Sequence, residues 1–330
     1  MCGIVGLHLR DPELYPQLGR LLETMLCQVA ERGPDSAGVA VYGDQRRCPE
    51  GHAAVSVLLP ATGATPATGA TPAVGAVPAT GAVSATGAAL DAARAELSAA
   101  VRAALSGGPD PLVTAAGATT VIAAPVAVDT LVDAVRRSAP GALVVGSGLD
   151  LTVYKDVGNP RDLAVTYDLA NAWGWQGLAH TRMATESAVV PAGCHPFSVG
   201  PDQCLVHNGS FANHATIRRE LEAEGVRFDS ENDSEVGARF VAARLAEGVD
   251  LDKALRLLCE RFDGFYTLLV TSNDGFAVVR DAIACKPAII AETDAWVAMA
   301  SEFRALADLP GIDTARIYEP EPERVYAWHR

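Results

Sequence analysis

Residues 1–9 read MCGIVGLHL: a cysteine at position 2, then at once a strand-like run through Ile4, Val5, Leu7 and Leu9. Exposed thiols oxidise and exchange, and chain ends are commonly the least ordered part of a domain. A thiol that leads straight into a buried strand therefore calls for a reason. If the initiator methionine is removed, as expected before a small residue, Cys2 carries a free α-amine. Such an amine has a pKa of about 7.7–8 and a free thiol one of about 8.5, so a single residue holds both a nucleophile and a base. The plainer reading is a stray cysteine beside an edge strand. The two are separated by whether the rest of the chain supplies partners for the thiol.

The totals narrow the field. A chain of 330 residues can bury a full core, and a net charge of -14 argues against nucleic acid or an anionic membrane surface as partner. Seven cysteines at positions 2, 27, 48, 194, 204, 259 and 285 form no CxxC pair, which suits reduced thiols in the cytoplasm better than a disulfide framework. The first apolar run breaks at Arg10 and Asp11 without a basic flank, so no signal peptide is expected, and no stretch reads as a membrane span.

From Ala61 to Leu90 the sequence repeats as ATGATP, ATGATP, AVGAVP, ATGAVS, ATGAAL. Ala and Thr at the repeating positions cannot offset the entropy of ordering the backbone, so 46–90 is expected to be a flexible linker. Residues 91–174 are expected to form a small α/β insertion: an alanine-rich helix, strand-like TTVIAAPVAV, a helix at 129–138, then ALVVGSG and LTVYKDV. Before it, strands are expected at 3–9 and 37–43 around an amphipathic helix from Pro16 to Ala30, with Leu18, Leu21, Leu22, Met25, Leu26 and Val29 on one face. After it come helices from His214, from Asp233 or Ser234 as cap, and over 251–261, followed by two hairpins through 265–300. Strands beside strands and helices beside helices point to α+β layers.

Polar clusters fall at the ends of these elements: Arg32-Gly33-Pro34-Asp35, His180-Thr181-Arg182, Cys194-His195-Pro196-Phe197, His207-Asn208-Gly209 and Asn232-Asp233-Ser234-Glu235. Gathered at Cys2, they suit attack on the side-chain amide of a free amino acid. An arginine fork can hold an α-carboxylate, an aspartate an α-ammonium, and an Asn side chain beside a Gly N–H an oxyanion. Each has a plainer role: a surface ion pair for Arg182, a helix cap for Asp233, a tight turn at Asn208-Gly209, core histidines at 180, 195 and 207. A zinc site from Cys194, His195, Cys204 and His207 is disfavoured, because Cys204 and His207 alternate to opposite faces of a strand.

MCGIVG, RGPDSAG, HTRMAT, CHPF, HNGSFAN and NDSEV, in that order, resemble the class II glutamine amidotransferases. GFYTLLV, RDAIACKPAIIAE and ASEFRAL resemble the closing strands of the same family, so the likeness covers 1–43 and about 175–310. These are N-terminal-nucleophile hydrolases, and the resemblance implies a four-layer αββα sandwich of two antiparallel sheets. It implies Cys2 as nucleophile, Asn208 and Gly209 as oxyanion hole, Arg182 on the glutamine α-carboxylate and Asp233 on its α-amine. It further implies that Thr185 lines the glutamine pocket, that Arg32 orders the terminus and that His195 shapes the site. Met183 and Glu186 depart from the family pattern, in the closing loop. HTRMATESAV, IACKPAIIAETD and EPEPERVYAW are most similar to amidotransferase subunits related to glutamate synthase, among them the small subunit of N-methylglutamate synthase.

The implied reaction needs no metal or organic cofactor. Outside these motifs no phosphate loop, dinucleotide fingerprint or iron–sulfur cysteine set remains, so a partner chain is expected to consume the ammonia, and the resemblance to the glutamate synthase group implies that this partner is a flavin-dependent synthase subunit. An amidohydrolase of the same type acting on another amide, and a non-catalytic metal-binding or regulatory module, are the competing readings.

Overall fold

The computed structural model describes residues 2–60, 87–105, 108, 110–183 and 189–330. The first elements are β1 (Gly3–Leu9), α1 (Leu18–Gln28), β2 (Ser36–Tyr42) and β3 (Ala53–Leu58). Next come α2 (Gly87–Ala104), β4 (Leu112–Ala116), β5 (Thr119–Ala124), α3 (Val128–Ser138), β6 (Leu143–Gly148), β7 (Leu151–Val157) and α4 (Pro160–Thr166). Then follow β8 (Gln176–Arg182), β9 (Cys204–Phe211), α5 (His214–Ala223), α6 (Asp233–Ala246) and α7 (Leu251–Arg261). The chain closes with β10 (Gly264–Thr271), β11 (Gly275–Arg280), β12 (Ile289–Glu292), β13 (Trp296–Ala300), β14 (Arg316–Tyr318) and β15 (Tyr326–His329).

Two antiparallel sheets stack to form the body. One has seven strands in the order β14-β12-β13-β1-β8-β2-β7, the other four in the order β15-β11-β10-β9. They approach closely across Gly6 of β1: a Cβ there would fall 2.4 Å from Leu269 of β10 and 3.0 Å from Phe276 of β11, so only glycine lets the layers meet. The outer face of the larger sheet is covered by α1, whose Leu18, Leu21, Leu22, Met25 and Leu26 are buried, as the helical spacing predicts. A 3₁₀ turn over Pro12–Gln17 holds Pro16, so α1 starts at Leu18 and not at Pro16. The outer face of the smaller sheet is covered by α5, α6 and α7 through Ile217, Leu221, Val236, Val241, Leu255 and Leu258. The result is the αββα layering expected from the motifs.

A third sheet, β4-β5-β3-β6, is built from the insertion, and every neighbouring pair in it is antiparallel. With α2 after β3 and α3 after β5, the unit runs βαββαβ, the split-βαβ arrangement. Its limits differ from those read in the sequence. Ala53–Leu58 lies inside the tract expected as linker, yet β3 pairs with both β5 and β6. AAVSVL carries no polar–apolar alternation because both faces are covered: Ala53, Val55 and Val57 meet α2 and α3, while Ala54 and Leu58 join the main core. At the other end Leu151–Val157 pairs with β2, so β7 belongs to the seven-stranded sheet and not to the insertion. The last repeat also differs from a linker, since α2 begins at Gly87. The repeat at 61–86 lies outside the described residues.

Candidate functional site

Residues 2–4 are held by side chains from four separate segments. The carbonyl oxygen of Cys2 accepts from Arg32 Nε at 3.0 Å and from Asn208 Nδ2 at 3.2 Å. The amide of Gly3 donates to Thr181 Oγ1 at 3.1 Å, and Thr181 in turn donates to the carbonyl of Val29 at the end of α1. The amide of Ile4 donates to Ser301 Oγ at 2.9 Å. Arg32 is itself fixed by Glu302, Nη1 to Oε1 at 2.6 Å, and Arg304 holds the other oxygen of Glu302 at 2.6 Å. A terminus that would ordinarily fray is thereby ordered, and the Cys2 side chain stays partly accessible.

Asn208 and Gly209 do not form a tight turn. Both lie within β9, paired with Thr267 and Tyr266 of β10. Gly209 has φ of +145°, and a Cβ there would fall 1.9 Å from the Phe265 carbonyl oxygen, so no other residue fits. Downstream in β9, the amide of Phe211 donates to Asp233 Oδ2 at 2.8 Å. Asp233 opens α6 without capping it; Asn232 is the N-cap, its Oδ1 accepting from the Ser234 amide at 2.9 Å. Asp233 is thus released from the capping role that the sequence allowed it. Ser234 Oγ lies 3.3 Å from Asp233 Oδ1 and 2.8 Å from His207 Nδ1.

Arg182 ends β8 directly after Thr181 and is 9% exposed. Its backbone receives the RGPD loop: Pro34 bridges to it and the Asp35 amide donates to its carbonyl at 3.2 Å. Thr185 and Glu186 lie outside the described residues. His195 precedes a cis peptide to Pro196 and is buried; its ring lies tilted, 4.1 Å from that of His180, with the His207 ring 6.4 Å away. Burial pushes His180 down to about 3 and His207 to about 4, and drives His195 well below the ordinary histidine value. These rings are neutral at physiological pH; His180 and His195 pack against each other, and His207 packs on Phe211 beside Ser234 of α6. Among the described residues no group of three or more His, Cys, Asp or Glu side chains could hold a metal ion. No described helix is long and apolar enough to cross a membrane.

Cys2, Arg32, Arg182, Asn208, Gly209 and Asp233 are therefore joined by short chains of hydrogen bonds and backbone pairing at one end of the two sheets. The sequence gives Ser301 and Glu302 no role, and it marks Thr181 and Ser234 only as members of polar clusters, Ser234 also as a possible cap. Ser301 meets the amide of residue 4 across 297 positions, and nothing local in the sequence marks such a contact. All four fall within the family-like stretches HTRMAT, NDSEV and ASEFRAL.

Residues 180–308 match the family described as Glutamine amidotransferase domain. The glutamine amidotransferase-like protein GlxB of Rhizobium meliloti is 45% identical over 328 residues, 99% of this chain and 98% of its own. The amidophosphoribosyltransferase of Methanocaldococcus jannaschii is 31% identical over 194 residues, 58% of this chain and 41% of its own. Among solved structures, the glutamine phosphoribosylpyrophosphate amidotransferase of B. subtilis superposes with a TM-score of 0.55 at 15% identity, over 99% of this chain and 49% of that one. That likeness concerns the fold alone. Full-length identity to GlxB, a shared layered fold and the ordered motifs agree, and the chain belongs to the class II glutamine amidotransferases.

Proposed function

We propose that this chain hydrolyses L-glutamine to L-glutamate and ammonia through a thioester on Cys2. The observation that carries the reading is the tether of residue 2, whose carbonyl oxygen is held jointly by Arg32 and Asn208. It holds the Cys2 backbone against Asn208, which supports a thiol working beside Asn208 and Gly209. An Asn amide has two N–H groups, so one remains for an oxyanion while the other holds Cys2. The Cys2 α-amine takes the thiol proton as sulfur attacks the side-chain amide carbon. The resulting ammonium returns a proton to the departing nitrogen, ammonia leaves, and water cleaves the thioester to glutamate and free thiol.

Arg182 receives the α-carboxylate and Asp233 the α-ammonium. Arg32 positions the terminus and His195 shapes the wall behind it. Ammonia passes to a partner chain, a flavin-dependent synthase subunit of the glutamate synthase or N-methylglutamate synthase kind, in a reducing cytoplasm. The seven unpaired cysteines support that compartment. The deciding experiment is intact and peptide mass after incubation with a glutamine-mimicking electrophile. One adduct on a peptide that starts at Cys2 is expected. Methionine still attached to an active chain, or labelling elsewhere, overturns the mechanism. Turnover of glutamine but not of N-acylglutamine separates this reading from hydrolysis of other amides.

A further inference from the structure

Behind Asp233 stand two buried groups that the hydrolysis above does not use. Ser234 is 2% exposed and His207 3%, while the Asp233 side chain keeps 19% of its surface open. One order of donors satisfies both contacts. An ionised Asp233 can only accept, so the Ser234 hydroxyl gives it its single proton across 3.3 Å. Ser234 Oγ must then receive from His207, 2.8 Å away, which places the imidazole proton on Nδ1. The other carboxylate oxygen is held by the Phe211 amide at 2.8 Å. Both oxygens are gripped from the protein side, one by β9 and one by the first turn of α6, while part of the carboxylate's surface stays open. The helix has no other need of this hydroxyl, because Asn232 caps it.

We infer that Ser234, oriented by His207, is a positioning residue that fixes the Asp233 carboxylate and so makes the site selective for a substrate with a free α-ammonium. The inference rests on the proposed role of Asp233. A hydrogen bond to a charged group is worth enough that losing it shifts affinity by about tenfold or more. What is lost is binding of the ammonium and not the chemistry at the distant amide.

The test uses the full chain with two substrates: L-glutamine, and 4-carbamoylbutanoate, which is the same amide without the α-amine. Ser234→Ala is expected to raise KM for glutamine about tenfold or more and to leave kcat within about twofold. On 4-carbamoylbutanoate its kcat/KM is expected to equal that of the unaltered chain. Ser234→Thr, which keeps the hydroxyl, should recover most of the glutamine affinity, and His207→Asn, whose amide can replace Nδ1–H, should fall between. Equal losses on both substrates, or an unchanged KM for glutamine, overturn the inference. The same comparison made by calorimetric binding in a Cys2→Ala background decides the matter without turnover. A Cys2→Ala chain that binds no glutamine removes the proposed function and this inference together. If it binds glutamine and Ser234→Ala binds equally well, only the positioning role fails.

Discussion

At the Cys2 end of the seven-stranded sheet, consecutive backbone groups are held one by one: the carbonyl of residue 2 by Arg32 and Asn208, the amide of 3 by Thr181, the amide of 4 by Ser301. In the inserted unit, β3 is held instead by ladders to β5 and β6 and by Val55, Val57, Ile122 and Leu131 in its own small core. The first arrangement specifies where atoms sit; the second needs only volume and apolar character. Substitutions in the two regions should therefore differ in kind. Those at the terminus act on rate, and those in the insertion act on stability.

The contrast is broken most easily by Cys2→Ala. Glutaminase activity is expected to fall on the order of 10⁴-fold or more with little change in the unfolding midpoint, measured by ammonia release and denaturant titration. Appreciable turnover in that variant removes the nucleophile from the account. Asn208→Ala comes next, with a loss of kcat of about 10²–10³ for a missing oxyanion donor. Because Asn208 also holds the Cys2 carbonyl, part of that loss should appear as faster hydrogen exchange at residues 3 and 4.

Acid should act on the buried histidines of the main body before it acts on the insertion. His180 and His207 have folded-state values depressed to about 3 and about 4, so below about 6.5 the unfolded chain binds protons that the folded chain refuses. Stability is complete above about 6.5 and falls as pH drops from there, down to about 4 for His207 and about 3 for His180, by up to about 1.4 kcal/mol per pH unit for each. His180→Gln should flatten that dependence; an unchanged slope in urea titrations at pH 4 and pH 7 contradicts the reading.

Gly209→Ala sharpens the comparison from the structural side. A Cβ 1.9 Å from a carbonyl oxygen, at φ of +145°, should cost about 2–4 kcal/mol and activity as well. The smallest effect is expected from Val57→Ala in β3: about 1–3 kcal/mol of stability and an unchanged kcat/KM for glutamine. A large loss of kcat/KM there would mean that the insertion reaches the site energetically.

How far the sequence carried depends on how local each signal was. The α1 face, the hairpins after residue 264 and the order of the polar motifs all follow from spacing within a few residues. The limits of the insertion did not, because β3 is alanine-rich and buried on both faces and adjoins a repeat of similar composition. Nor did the cap of α6: Asn232, Asp233 and Ser234 are all good capping residues, and only backbone geometry chose Asn232.

By itself, the amino-acid order determined which chemical groups are present and in what succession, since a thiol at position 2 and an Asn-Gly pair are facts of composition and spacing. Only the tertiary structure decided which of those groups meet. Contacts such as Ser301 with Ile4 and Asn208 with Cys2 join positions hundreds of residues apart, and their partners are chosen by sheet stacking and strand register, which no local pattern encodes.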